Sequence, residues 1–91
     1  MDTGKLDIAR QNIDRINSEL VSLLIERMQY VDQVAEYKAA NNLPISVPER
    51  EIKILEKVSQ QAGEEYAQDV IPVFRAIFSA SCAREKRKIK I

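Results

Sequence analysis

An arginine and a lysine occupy positions where helical spacing calls for leucines. Leu6, Ala9, Ile13, Ile16, Leu20, Leu23, Leu24, Val31, Val34 and Ala35 recur at helical intervals and mark one apolar seam. Arg27 falls on that seam, midway between Leu20 and Val34, and Lys38 continues it beyond Val31. A buried cation is costly unless an anion meets it, so both need an explanation. The two are separated by close to three helical turns and share a face about 16 Å apart along the axis. Long cationic side chains at that spacing can clamp a small dianion. A second reading stays open, in which both cations reach water at the helix edge or pair with carboxylates of their own chain.

The interruption recurs further along. Arg50 and Glu51 stand early in a second apolar stripe, and Ser81 and Glu85 continue the face of Phe74 and Phe78 in a third. Faces of this kind, brought together, make a site rich in guanidinium and ammonium donors. Such a site suits a molecule with two carboxylates, because arginine can hold a carboxylate by two parallel hydrogen bonds. Arg50 and Glu51 also have a plainer explanation as surface charges at a helix start, where Glu51 favours the positive end of the dipole. Arg10 lies about 25 Å before Arg27 on the axis, too far to reach the same ligand from the same helix. In an antiparallel pair of long helices it can serve the site of the partner chain, although an exposed arginine near a helix start is the simpler reading.

The elements that must position these residues are helical, and no alternating β-branched run suggests a strand. The spacing predicts a first helix from about Lys5 to about Ala40, close to 50 Å long. It carries more apolar seam than one small chain can cover and so predicts a second copy. Asn41-Asn42-Leu43-Pro44 ends it. A second helix then starts either from a Ser46 capping box completed by Glu49, or from Val47 as cap with Pro48 first. It is expected to bury Ile52, Leu55 and Val58 and to stop at Gly63. A third helix carries Val70, Val73, Phe74, Ile77 and Phe78, with Asp69 as a candidate cap, an earlier turn from Glu64 and Glu65 as the alternative, and Pro72 expected within or near its first turn.

Bulk properties narrow the function. With 91 residues the chain is a single domain, residues 1–91, with its core at about 6–88 and a basic, solvated tail at 86–91. Its 14 basic residues balance 14 acidic ones, so no net charge draws it to nucleic acid or membrane. Without histidine and with Cys82 as the one cysteine, the sequence predicts no metal, no cofactor and no histidine triad. The start lacks the apolar run of a signal peptide and no stretch is long enough to span a bilayer, which predicts a cytoplasmic protein.

Ile13-Asp14-Arg15-Ile16-Asn17, Leu23-Leu24-Ile25-Glu26-Arg27, Tyr37-Lys38, Pro44-Ile45 and Pro48-Glu49-Arg50-Glu51 follow one another in an order and spacing that resembles the all-helical chorismate mutases. The resemblance covers about residues 6 to 88. It implies an all-α fold in which a three-helix protomer with one long N-terminal helix intertwines with a second copy. Carried over by position, it implies that Arg27, Arg50 and the partner's Arg10 hold the substrate carboxylates. Lys38 would donate to the ether oxygen, Glu51 would accept from the ring hydroxyl, and Ser81 would help hold a carboxylate. Glu85 would contact the ether oxygen opposite Lys38, at a position where a well-known bacterial branch has glutamine. Val47 stands in the substrate-binding loop where many members have aspartate, which removes a carboxylate neighbour.

The implied reaction is the Claisen rearrangement of chorismate to prephenate, in the shikimate route to aromatic amino acids. It needs no nucleophile, metal or cofactor. Catalysis would come from holding a near-attack conformation and stabilising charge on the ether oxygen. Glu85 can donate to that oxygen only when protonated, so turnover is expected to fall as pH rises. Two relatives on the same scaffold compete: isochorismate–pyruvate lyases, which share a small or apolar residue before the proline of Pro-Glu-Arg, and mutases of 4-amino-4-deoxychorismate. A helical dimerisation module without activity is the rival from another class.

Overall fold

Length of apolar periodicity and a single turn-forming cluster lead to a simple chain path. The computed structural model describes residues 3–89. Helix α1 spans Thr3–Ala40 and helix α2 spans Pro48–Lys88, and the described residues contain no strand. The chain forms two compact units, one up to Tyr30 and the other from Val31 onward.

Asparagine chemistry stops α1 where expected. Asn42 takes a left-handed φ of 55°, which asparagine tolerates better than most residues. The Leu43 amide donates to the Lys38 carbonyl at 2.9 Å and the Asn42 amide to Ala39 at 3.5 Å, the reciprocal pattern of a Schellman ending. Asn41 adds a side-chain bond from Nδ2 to the Tyr37 carbonyl at 2.9 Å. This ending fixes the backbone of the turn that carries Lys38.

Of the two starts open to α2, the structure takes the later one. Val47 is the cap, with φ −129° and ψ 85°, Pro48 is at the first position, and no side chain caps the helix. The Ser46 capping box is therefore not formed. Proline excludes helical geometry from the residue before it, so Val47 stays extended and Pro48 opens the helix. The Val47 carbonyl accepts from the amides of Arg50 (3.0 Å) and Glu51 (3.2 Å).

Among the described residues there are two helices rather than the expected three. Gly63 does break the helical geometry, with φ 79° and ψ 168°, a region open almost only to glycine. The helix resumes at once on its far side, so the expected second and third helices are the two halves of α2. Asp69 consequently lies inside the helix instead of capping one. Pro72 lies nine residues past Gly63, well beyond a first turn, and leaves the Gln68 carbonyl without its usual intrahelical donor.

The core of the second unit is small. Ala35, Val58 and Phe78 are buried, and Phe74 meets Phe78 edge to face at 6.4 Å between ring centres. Ile52 and Val73, expected inside, are exposed, as is Val34 of the α1 seam. In the first unit the seam is exposed throughout, from Leu6 through Ile13, Ile16 and Leu20 to Leu23 and Leu24. The helical period was right, but period says which residues share a face, not what covers it. Residues 86–88, expected to fray, are the last residues of α2, while Lys90 and Ile91 lie outside the described residues.

Candidate active site

Lys38 sits in the last turn of α1, where a cation also favours the negative end of the helix dipole. Its ammonium donates to Glu85 Oε1 at 2.8 Å and to the Ile45 carbonyl at 2.7 Å. One side chain thereby joins the end of α1, the loop that follows and the last turns of α2. The pair is sheltered, with the Lys38 side chain 14% and the Glu85 side chain 7% exposed. Shelter strengthens the attraction and raises the cost of leaving either charge alone.

Ser81 lies one turn before Glu85 on the same face of α2 and is also buried. Its hydroxyl donates to the Ile77 carbonyl at 2.8 Å, a back-bond common for serine within helices. Lys38 and Glu85 thus form a sheltered polar pair inside the second unit, and Ser81 is a further buried polar residue on the face of α2 that carries Glu85. Glu51 is half-buried in the first turn of α2, Val47 is half-buried at its cap, and Arg50 is exposed. Arg10 and Arg27 belong to the first unit, Arg10 exposed and Arg27 half-buried.

A second cross-link escaped the sequence reading. The Arg84 guanidinium grips the Asp32 carboxylate with both arms, Nε to Oδ1 at 2.6 Å and a terminal nitrogen to Oδ2 at 2.7 Å. Lys88 stands behind at 3.8 Å from Oδ2. The Arg84 hydrogen bonds hold the Asp32 carboxyl below its ordinary value, and Asp32 in turn pushes the Arg84 guanidinium up. No local spacing announces a pair whose members lie 52 residues apart.

A groove of about 720 Å³ opens between the first turns of α2 and its C-terminal half, lined by Ile45, Pro48, Leu55, Phe78 and Cys82 among others. Of the residues expected from the sequence to catalyse or to bind substrate, Glu51 alone is among those lining it. The groove and the Lys38–Glu85 cluster are therefore different features of the second unit.

Residues 9–86 match the sequence family described as chorismate mutase type II. The chain belongs to the type II chorismate mutase family. Lys38, Arg50, Glu51, Ser81 and Glu85 all fall within the matched span. Among relatives, the bifunctional chorismate mutase/prephenate dehydratase of Aquifex aeolicus is 40% identical over 87 residues, which is 90% of this chain and 24% of the relative. A bifunctional protein of the same description from Buchnera aphidicola is 34% identical over 96% of this chain and 23% of its own length. The chorismate mutase of Methanocaldococcus jannaschii is 28% identical over 94% of this chain and 89% of its own length. The chain thus spans about a quarter of the two bifunctional relatives and most of the archaeal one. No solved structure gives a significant match. Among the described residues, no helix of this family member is long and apolar enough to cross a membrane.

Proposed function

We propose that this chain is a chorismate mutase, converting chorismate to prephenate without cofactor or metal. Family membership carries the reading, and the sheltered Lys38–Glu85 pair supports it chemically. The rearrangement is unimolecular: the C–O ether bond breaks as a C–C bond forms between the enolpyruvyl group and the ring. A protein accelerates such a reaction by holding the compact conformer and by stabilising the negative charge that gathers on the ether oxygen.

Lys38 suits the second task, because its charge is compact and its position is fixed by the ending of α1. The Lys38 ammonium donates to Glu85 and to the Ile45 carbonyl. Substrate takes the place of the direct ion pair, so that Lys38 and a protonated Glu85 meet the ether oxygen from opposite sides. Arg27, Arg50, Ser81 and Arg10 of a second copy hold the two carboxylates, Glu51 accepts from the ring hydroxyl, and Val47 lines the loop beside the bound substrate.

The assembly in this reading is a homodimer, active in the cytoplasm. The exposed seam from Leu6 to Leu24 supports it, since a run of large apolar side chains of that length is unfavourable in water. Product analysis tests the activity. Incubation with chorismate is expected to give prephenate, whereas salicylate and pyruvate from isochorismate, with no prephenate from chorismate, would transfer the chain to the lyases.

A further inference from the structure

The Lys38–Glu85 contact faces a difficulty during turnover. It joins residues 31–40 of α1 to the last turns of α2, yet the proposed chemistry inserts substrate between its two members. Ala35, the buried residue of α1 between Asp32 and Lys38, carries only a methyl group and so has no polar group with which to impose a directional restraint. The register of the two segments must then be kept by something that substrate does not displace. Asp32 and Arg84 supply it: a two-armed ion pair at 2.6 and 2.7 Å, six residues before Lys38 on one helix and directly before Glu85 on the other.

We propose that the Asp32–Arg84 pair is a positioning element that holds Lys38 and Glu85 in catalytic register once substrate has separated them. This rests on the chorismate mutase reading above. Two planar groups joined by parallel hydrogen bonds resist both sliding and rotation, which a single lysine contact does not. Lys88, at 3.8 Å, adds charge but no such geometry. Arg84 is thereby committed to Asp32 and is not a further cation for the substrate carboxylates. Once substrate separates Lys38 from Glu85, the Asp32–Arg84 pair, with Lys88 beside it, carries the polar linkage between the two segments, so its loss is felt mainly in kcat.

The test compares wild type, Asp32→Asn, Arg84→Gln and Arg84→Lys for kcat and KM on chorismate and for thermal midpoint without ligand. Asp32→Asn and Arg84→Gln are expected to lower kcat by about tenfold, short of the roughly hundredfold that an ångström of misplacement can cost, with KM changed less than kcat. Arg84→Lys, which keeps the charge but not the fork, is expected to fall between wild type and Arg84→Gln. A pair that merely stabilises the fold would lower the thermal midpoint and leave kcat per folded molecule unchanged, which overturns the proposal. So does full kcat in Arg84→Lys combined with loss in Arg84→Gln, since charge alone would then suffice. If Asp32→Asn does not fold, the two Arg84 variants carry the test. Wild-type protein that leaves chorismate unchanged removes the activity itself, a failure distinct from an active wild type whose variants keep their kcat.

Discussion

Lys38 Nζ lies 2.8 Å from Glu85 Oε1, and both side chains are largely withdrawn from water. The ammonium and the carboxylate balance one another's charge. In the proposed mechanism the pair is also what substrate must rearrange, because an ether oxygen held by both groups cannot leave them in direct contact. Structural and chemical roles therefore coincide at these two residues, and substitutions at them report on both.

Removing Lys38 alone leaves a buried carboxylate without its partner. Lys38→Met is expected to destabilise the protein by roughly 3–5 kcal/mol, the usual range for breaking a buried pair. Adding Glu85→Gln removes the orphaned charge, so the double variant should recover much of that loss while staying inactive. Chemical denaturation of the three variants checks this, and a double variant no more stable than Lys38→Met contradicts it.

Glu85→Gln should keep substantial activity, since an amide can donate to the ether oxygen without first binding a proton. Wild-type kcat is expected to fall as pH rises, while Glu85→Gln loses that dependence. Lys38 is the charged group shown in contact with Glu85. Parallel profiles for the two proteins would separate Glu85 from the pH dependence.

Asp32 links stability to acid. Arg84 holds its carboxyl below the ordinary value of 3.8, so the ionised form is favoured in the folded state. The stabilisation is complete above the ordinary value and is lost as pH falls through the lowered one. The thermal midpoint of wild type should therefore exceed that of Asp32→Asn near neutrality, and the gap should close on strong acidification. A gap that persists unchanged at low pH would mean that the charge on Asp32 is not its source.

Gly63 is expected to resist substitution for backbone reasons alone. A Cβ there would meet nothing within 4 Å, yet φ 79° and ψ 168° lie where side-chain-bearing residues are strained. Gly63→Ala should cost about 1–3 kcal/mol, read from denaturant midpoints. An unchanged midpoint would show that the break between the halves of α2 relaxes freely.

Much of this was legible from residue spacing. Lys38 and Glu85 betrayed themselves as charges on apolar stripes, and Asn41-Asn42 and Pro48 marked the ends of the helices. The helix count was not legible, because Gly63 signals a break without saying whether a loop follows. Pro72 and Asp69 favoured a helix start close by, whereas the helix resumes directly after Gly63, where Glu64 and Glu65 had offered the alternative start. Burial was read too generously at Ile52 and Val73, since periodicity cannot show which faces a single chain leaves open. Asp32 and Arg84 stayed hidden because contacts between distant segments depend on helix register, which no local pattern encodes.

The central claim is that Lys38 supplies charge to the rearranging ether of chorismate, and the direct measurement is kcat/KM for prephenate formation by wild type and Lys38→Met/Glu85→Gln. This double variant removes the ammonium without stranding a buried charge. The account predicts a folded protein that has lost at least about a hundredfold in kcat/KM, in line with removing one preorganised donor to a developing oxyanion. A folded double variant that still makes prephenate within a few-fold of the wild-type rate would contradict it.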